Sequence, residues 1–172
     1  MYIKIAGGIL LLGAATAAGI LKSQELTERV RRLQEFKRMI IFMQGELRFH
    51  RATLAEAFEN VSEKTASPFC EFLAGMAMEL EKERSGFEEL WRKSCKELLK
   101  QKGFQAEDGR LLELFGGGLG YLDLEVQMDS INMALVQTDE AIGNAREEER
   151  CRGRLYRTMG VTTGLLLALL IL

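Results

Sequence analysis

The sequence has little of what interrupts helices or builds covalent frameworks. It contains a single proline, and its three cysteines, Cys70, Cys95 and Cys151, form no C-x-x-C pair. An odd cysteine count without that spacing argues against a disulfide framework and against a zinc site. The formal net charge is only -2, so the chain lacks the basic excess that is typical of proteins that bind nucleic acid.

Residues suited to catalysis are also scarce. His50 is the one histidine, so a Cys–His or Ser–His nucleophile would have to use it. Its position between Phe49 and Arg51, near a predicted helix end, is typical of a solvated side chain. Carboxylates with metal-ligand spacing do not occur. We therefore predict no enzymatic activity, no cofactor, no metal site and no small-molecule substrate, with an enzyme that uses His50 as the alternative.

Long apolar runs are confined to the two ends of the chain. Residues 5–21 carry no charge and lie between Lys4 and Lys22, and Arg157 is the one charged residue in the run from 155 to 172. Apolar runs of about this length are typical of helices that cross a bilayer. The sequence thus predicts an N-terminal transmembrane helix over 1–22 and a C-terminal one over 155–172.

Basic residues flank both apolar ends on the side of the middle segment. Lys22 follows the first run, Arg150, Arg152 and Arg154 precede the second, and Arg157 lies near the start of the second. Basic flanks tend to stay in the cytoplasm, so residues 23–154 are predicted to form a cytosolic domain. The alternative is a cleaved signal peptide, since Lys4, the apolar run and the A-x-A pattern at 15–17 resemble one. The domain would then be an extracytoplasmic interaction module held by its tail.

Small residues recur at four-residue spacing within both apolar ends. The pairs are Gly13 with Ala17, Ala15 with Gly19, and Gly160 with Gly164. Such spacing lets two helix backbones approach closely. Glycine and alanine are also simply common in membrane helices, so close helix packing and ordinary composition both stay open.

The middle segment predicts a series of amphipathic helices and no strand. A first apolar stripe has steps of three and four, as on one face of a helix; its members are Leu26, Val30, Leu33, Phe36, Ile40, Met43 and Leu47. Thr53 and Glu56 fit a capping box, and Ser67 followed by Pro68 predicts another helix start. The predicted fold class is all-α, a bundle of about six helices between the two membrane helices.

The last predicted helix of the bundle begins after Asp123, whose side chain can cap it. Its apolar positions alternate in steps of four and three, close to a coiled-coil seam. The seam consists of Leu124, Met128, Ile131, Leu135, Thr138 and Ile142.

The segment "LFGGGLGYLD", residues 114–123, holds four glycines between two predicted helices. A phosphate loop would need a following Lys, and a dinucleotide fingerprint would need glycine where Tyr121 stands. Both motifs also need a preceding strand, and helix is predicted there. Because glycine tolerates positive φ, the run favours a hinge over an anion site. The candidate hinge or interaction residues are Gly116, Gly120, Asp123 and Gln127.

The same segment resembles a known family. "LFGGGLGYLDLEVQMDSI" is similar to the F-G-x-x-L-G-x-x-D-x-x-x-Q segment of stage III sporulation protein AB, and "GELRFHRATLAEAF" is similar to an upstream segment of that family. The matched positions are Phe115, Gly116, Leu119, Gly120, Asp123 and Gln127, and upstream Glu46, Leu47, Phe49, Ala52, Leu54, Glu56 and Ala57. The chain departs from the pattern at Thr53, where the family usually has proline.

The resemblance implies a function in endospore formation. It implies a structural membrane-platform component of the mother cell–forespore channel, in the mother-cell membrane, with a domain related to platform protein F of type II secretion. The implied partners are a stage III sporulation protein AA-type ATPase and other channel proteins. Association of the chain with copies of itself stays open.

Overall fold

The computed structural model describes residues 2–50, 53–82, 86–120 and 123–171. Within these ranges, the structure describes the backbone alone for residues 2–6, 8, 9, 11, 12, 157 and 167–171. The predicted side-chain positions of Lys4 and Arg157 therefore lie outside the described residues.

The described residues form six α-helices and contain no strand. The helices are α1 (Tyr2–Gly45), α2 (Leu54–Ser62), α3 (Phe69–Glu81), α4 (Phe87–Leu98), α5 (Asp108–Leu119) and α6 (Leu124–Ile171), and a π-helical turn (Glu46–His50) follows α1. The predicted all-α class is confirmed.

The chain divides into two compact units. One consists of Met1–Val30 with Gly143–Leu172, and the other of Arg31–Ile142. Both divisions fall inside the long helices α1 and α6.

In the first unit, the start of α1 packs against the end of α6. Thr27 Oγ1 lies 2.6 Å from Glu149 Oε1, and Arg29 pairs with Glu148 at 3.1 Å. A Cβ atom added at Gly160 would come within 2.8 Å of the Ala15 carbonyl oxygen and 3.3 Å of Gly19 Cα. The predicted close packing of small residues therefore occurs at these positions, whereas Gly13 faces open space.

The predicted membrane helices are not seen as separate elements. Residues 5–21 belong to α1, and residues 155–171 belong to α6. No helix in the described part of the chain is both long enough and apolar enough to cross a lipid bilayer. The two predicted spans are thus unsupported, and each lies partly outside the described side chains.

In the second unit, α1 supplies one wall of the core. Every residue of the predicted first stripe is buried. Leu26 and Val30 belong to the first unit, and the others belong to the second, where Ile40 and Met43 are fully inaccessible. Aromatic rings extend this core across the helices: Phe36 stacks on Phe69 of α3, and its edge meets Phe115 of α5. The 3.6-residue periodicity of α1 therefore identified its buried face correctly.

The helix starts follow the sequence signals in part. At α2 the capping box is present: Thr53 Oγ1 accepts from the Glu56 amide, and Glu56 Oε2 accepts from the Thr53 amide. At α3, Pro68 itself is the N-cap and no side chain caps the helix. Ser67 Oγ instead donates to Glu71 at 3.0 Å.

The predicted seam of the last helix is displaced around the helix axis. Leu124 is 44% exposed, and Met128 and Leu135 are only half-buried. The buried face of α6 within the second unit runs instead through Gln127, Ile131, Ala134, Thr138 and Ile142.

Candidate functional site: the turn between α5 and α6

The glycine-rich segment is mostly helical. Gly116, Gly117 and Gly118 lie inside α5, and Gly120 follows the helix with φ -76°, in the ordinary right-handed region. The expectation that the glycines turn the chain through positive φ is therefore wrong for these residues. Among the described glycines, positive φ occurs at Gly103, in the loop before α5, with φ 91°. A helical glycine run also cannot act as a phosphate loop, because its backbone N–H groups are used within the helix.

Gly116 is required by close packing against Trp91 of α4. A Cβ atom added at Gly116 would overlap the indole ring. The same edge of the indole is bound to α5, because Trp91 Nε1 donates to the Leu112 carbonyl oxygen at 2.9 Å, and the side chain is 4% exposed. The missing side chain at Gly116 thus makes room for a ring that cannot move away.

Gly118 has a similar role at the contact between α5 and α6. A Cβ atom there would lie 2.7 Å from Ser130 Cβ. Gly117, between the two, is exposed and faces open space. The glycines therefore differ in function: two permit close approach of neighbouring helices, and one does not.

Asp123 and Gln127 fix the turn itself. Asp123 Oδ1 accepts from the Glu125 amide at 2.8 Å and the Val126 amide at 3.3 Å, which is an N-cap of α6. The buried Gln127 donates from Nε2 to the Leu119 carbonyl oxygen at 2.9 Å, which satisfies the last turn of α5. The structure thus brings Gly116, Gly120, Asp123 and Gln127 to one turn and its flanking helices, and their part in an interaction stays a prediction.

The predicted basic residues lie in the first unit and are partly paired. Lys22 pairs with Glu25 at 2.6 Å, and Arg152 pairs with Glu148 at 2.6 Å. Arg150 and Arg154 are exposed on α6. Carboxylates on the same helices therefore neutralise part of the positive charge of these predicted basic residues.

Comparison with known proteins agrees with this geometry. A sequence profile of the family described as stage III sporulation protein AB matches residues 4–172. The chain belongs to this family. Stage III sporulation protein AB of Bacillus subtilis (strain 168) is 22% identical over 170 residues, which cover 99% of each chain. A solved structure of stage III sporulation protein AB aligns with TM-score 0.66 and 19% identity, over 72% of this chain and 98% of that one.

Membership of the stage III sporulation protein AB family confirms the resemblance and supports a role in sporulation. The structure also explains why the matched residues of the glycine-rich family segment are present. Phe115 and Leu119 are buried in the core, Gly116 accommodates Trp91, and Asp123 and Gln127 fix the turn. Much of this segment is therefore explained by packing alone.

The upstream family segment contains a cluster that sequence reasoning missed. Glu46, in the π-helical turn, is 5% exposed, and its carboxylate accepts from Lys64 Nζ at 2.6 Å and Asn60 Nδ2 at 3.1 Å. The exposed His50 lies 3.4 Å from it through Nδ1. The hydrogen bond from Lys64 lowers the pKa of Glu46, and this effect outweighs burial, which acts to raise that pKa. An acidic residue at the end of an apolar stripe is the one signal that could have indicated this burial.

Glu46→Gln is expected to lower the free energy of unfolding at pH 7 by about 1–3 kcal/mol, because a buried charge-assisted hydrogen bond is lost. The pKa of Glu46 is lowered in the fold from an ordinary 4.5. Its contribution is therefore complete above that pH and disappears as pH falls through the lowered pKa. Denaturant melts should show the wild-type advantage shrinking in acid. Glu59→Gln, on the exposed face of α2, serves as control and should change little.

The remaining chemistry-bearing groups do not converge. Among the described residues, no group of three or more His, Cys, Asp or Glu side chains could hold a metal ion. Burial raises the pKa of Cys95 to about 12, so its thiol stays protonated.

Proposed function

We propose that this protein is a structural component of the mother cell–forespore channel in endospore formation, where it holds a secretion-type ATPase of the stage III sporulation protein AA type. It binds partners and catalyses no reaction. Membership of the stage III sporulation protein AB family, over nearly the whole chain, supports the setting.

The observation that carries the scaffold function is the set of large apolar side chains left exposed on the helical domain. Phe49 is 76% exposed, Val136 60%, Met133 56% and Val126 45%. Scattered exposed apolar side chains are common, whereas neighbouring ones on one face are typical of surfaces that bind other proteins. Met133 and Val136 are such neighbours, three residues apart on α6.

The ATPase partnership can be tested by co-expression and co-purification. We expect the ATPase to be retained on the tagged full chain through repeated washing. The chain by itself should hydrolyse no nucleotide, because it acts only as the binding partner of the ATPase. Loss of the ATPase at the first wash, with both proteins folded, would contradict the proposal.

We also propose that the protein works at the mother-cell membrane with residues 23–154 in the cytosol. The uncharged run at 5–21 and the basic residues beside both ends support this placement. The alternative, an extracytoplasmic module after signal-peptide cleavage, predicts the opposite exposure of its thiols.

Thiol labelling separates the two placements, and the structure selects the residue to watch. Cys151 is exposed, Cys70 is half-buried and Cys95 is buried. The hydrogen bond to Glu147 raises the pKa of Cys151, so labelling should be slower than for a free thiol but complete with time. We expect a membrane-impermeant maleimide to leave Cys151 unlabelled in intact cells and to label it after permeabilisation.

Cys95 supplies the internal control, since it should react only after denaturation. Equal labelling of Cys151 in intact and permeabilised cells would overturn the cytosolic placement.

A further inference from the structure

The first half of α6 carries a second seam on the face opposite the core. Val126, Asp129, Met133, Val136 and Glu140 follow one another in steps of three, four, three and four, the spacing of the a and d positions of a coiled coil. Val126 is 45% exposed, Met133 56% and Val136 60%, and both carboxylates are exposed. We call these five residues the outer seam.

The opposite face of the same helix already has its partners. Ile131, Ala134 and Thr138 have no exposed surface, and the Thr138 hydroxyl donates a hydrogen bond to the Ala134 carbonyl oxygen at 2.7 Å. Since this buried face anchors α6 to the bundle, the outer seam is a rigid surface that needs no rearrangement to receive another helix. A preorganised surface binds with a smaller loss of conformational entropy.

The charge around the outer seam has one sign. Residues 123–142 contain five carboxylates and no lysine or arginine; the carboxylates are Asp123, Glu125, Asp129, Asp139 and Glu140. Lys37 of α1 pairs with Asp139 at 2.7 Å, and Arg48 lines a groove with Glu125 and Asp129. The neighbouring cations therefore leave the region negative, with Glu140 and Asp129 inside the seam itself.

This charge pattern distinguishes between possible occupants. A second copy of the chain would bring Asp129 and Glu140 against the same acidic surface, and like charges across a helix pair are destabilising. A helix of another protein with lysine or arginine at the facing positions would instead complement both carboxylates. Its apolar side chains would cover Val126, Met133 and Val136.

We propose that the outer seam is a docking site for one amphipathic helix of a partner protein, with apolar residues at successive a and d positions and basic residues facing Asp129 and Glu140. The inference deepens the proposed scaffold function, on which it rests for the expectation of a protein partner. Met133, at the middle of the seam, is the expected main contact, because central, fully covered side chains dominate helix-in-groove binding.

The test uses the full chain and a fluorescent helical peptide of about three heptads, with leucine at a and d and lysine at the flanking positions. We expect it to bind, and its counterpart with glutamate in place of lysine to bind at least tenfold more weakly. Met133→Glu should weaken binding of the lysine peptide about tenfold or more. The matched control is Met78→Glu, which changes an equally exposed methionine on α3 and should alter binding less than twofold.

A second variant tests the charge argument. Asp129→Lys with Glu140→Lys should reverse the preference, so that the glutamate peptide binds better than the lysine peptide. Equal weakening by Met133→Glu and Met78→Glu, or no preference between the peptides, would overturn the docking site. Self-association of the full chain that Met133→Glu abolishes would also overturn it, in favour of a second copy.

Co-purification separates this inference from the proposed function. Retention of the ATPase by wild type and Met78→Glu but not by Met133→Glu supports both. Retention by all three chains overturns the outer seam as its docking site and leaves the scaffold function standing. Failure of the wild type to retain the ATPase overturns the scaffold function, while the peptide measurements still decide the seam.

Discussion

Replacing Gly116 by alanine is expected to lower the free energy of unfolding by about 2–3 kcal/mol, at the upper end of the cost of overpacking a core. The new Cβ would overlap the Trp91 indole, which is 4% exposed and hydrogen-bonded to Leu112. Four aromatic neighbours, with ring centroids 5.2–6.1 Å away, prevent the indole from retreating; they are Phe58, Phe72, Phe87 and Phe115. Chemical denaturation followed by far-ultraviolet circular dichroism measures the change.

Gly117→Ala is the matched control for Gly116→Ala. It is the next residue of the same helix, and a Cβ atom there meets nothing within 4 Å. Alanine in an open helical position should raise the free energy of unfolding by about 0.5–1 kcal/mol, because it restricts the unfolded backbone. If both variants shift stability in the same direction, the packing explanation of the glycine segment is wrong.

Phe36→Ala should have a larger effect, about 3–5 kcal/mol of lost stability, as is usual when a buried phenylalanine leaves a cavity. Phe36 is 2% exposed and joins three helices, with ring centroids 5.7 Å from Phe69 and 5.9 Å from Phe115. Its loss should lower the thermal midpoint by many degrees and increase binding of a hydrophobic dye.

Phe49→Ala removes the same side chain from a surface position. Phe49 is 76% exposed, so its replacement should change the free energy of unfolding by no more than about 0.5 kcal/mol. A cost for Phe36→Ala as small as that for Phe49→Ala would show that the aromatic core does not couple α1 to α3 and α5.

Local pattern was sufficient for the helices and for one buried face. The stripe from Leu26 to Leu47 was predicted residue by residue, and each member is buried, because a 3.6-residue period fixes which side chains share a face. The capping box at Thr53 and the cap at Asp123 were also readable, since each involves a hydrogen bond to an amide two or three residues away. The membrane placement of the ends stays a proposal that rests on charge and hydropathy.

Where two local patterns compete, only tertiary contacts decide. Steps of three and four fit Leu124–Met128–Ile131 on α6 as well as Gln127–Ile131–Ala134, and the core buries the second set. From the sequence alone the first set was predicted to face the core, because its residues are more apolar than those of the second set. Gln127 is buried nevertheless, because its amide reaches the Leu119 carbonyl oxygen at the end of the preceding helix.

The sequence by itself determined the all-α class, the first core stripe and the family of this protein, because these depend on neighbours along the chain and on the order of short motifs. Tertiary structure alone decided why the glycines are there and where Glu46 lies. A glycine suits both a turn and a close contact, and only the Trp91 ring shows that Gly116 serves contact. A carboxylate is buried only when distant donors such as Lys64 meet it, and such meetings are set by the packing of helices.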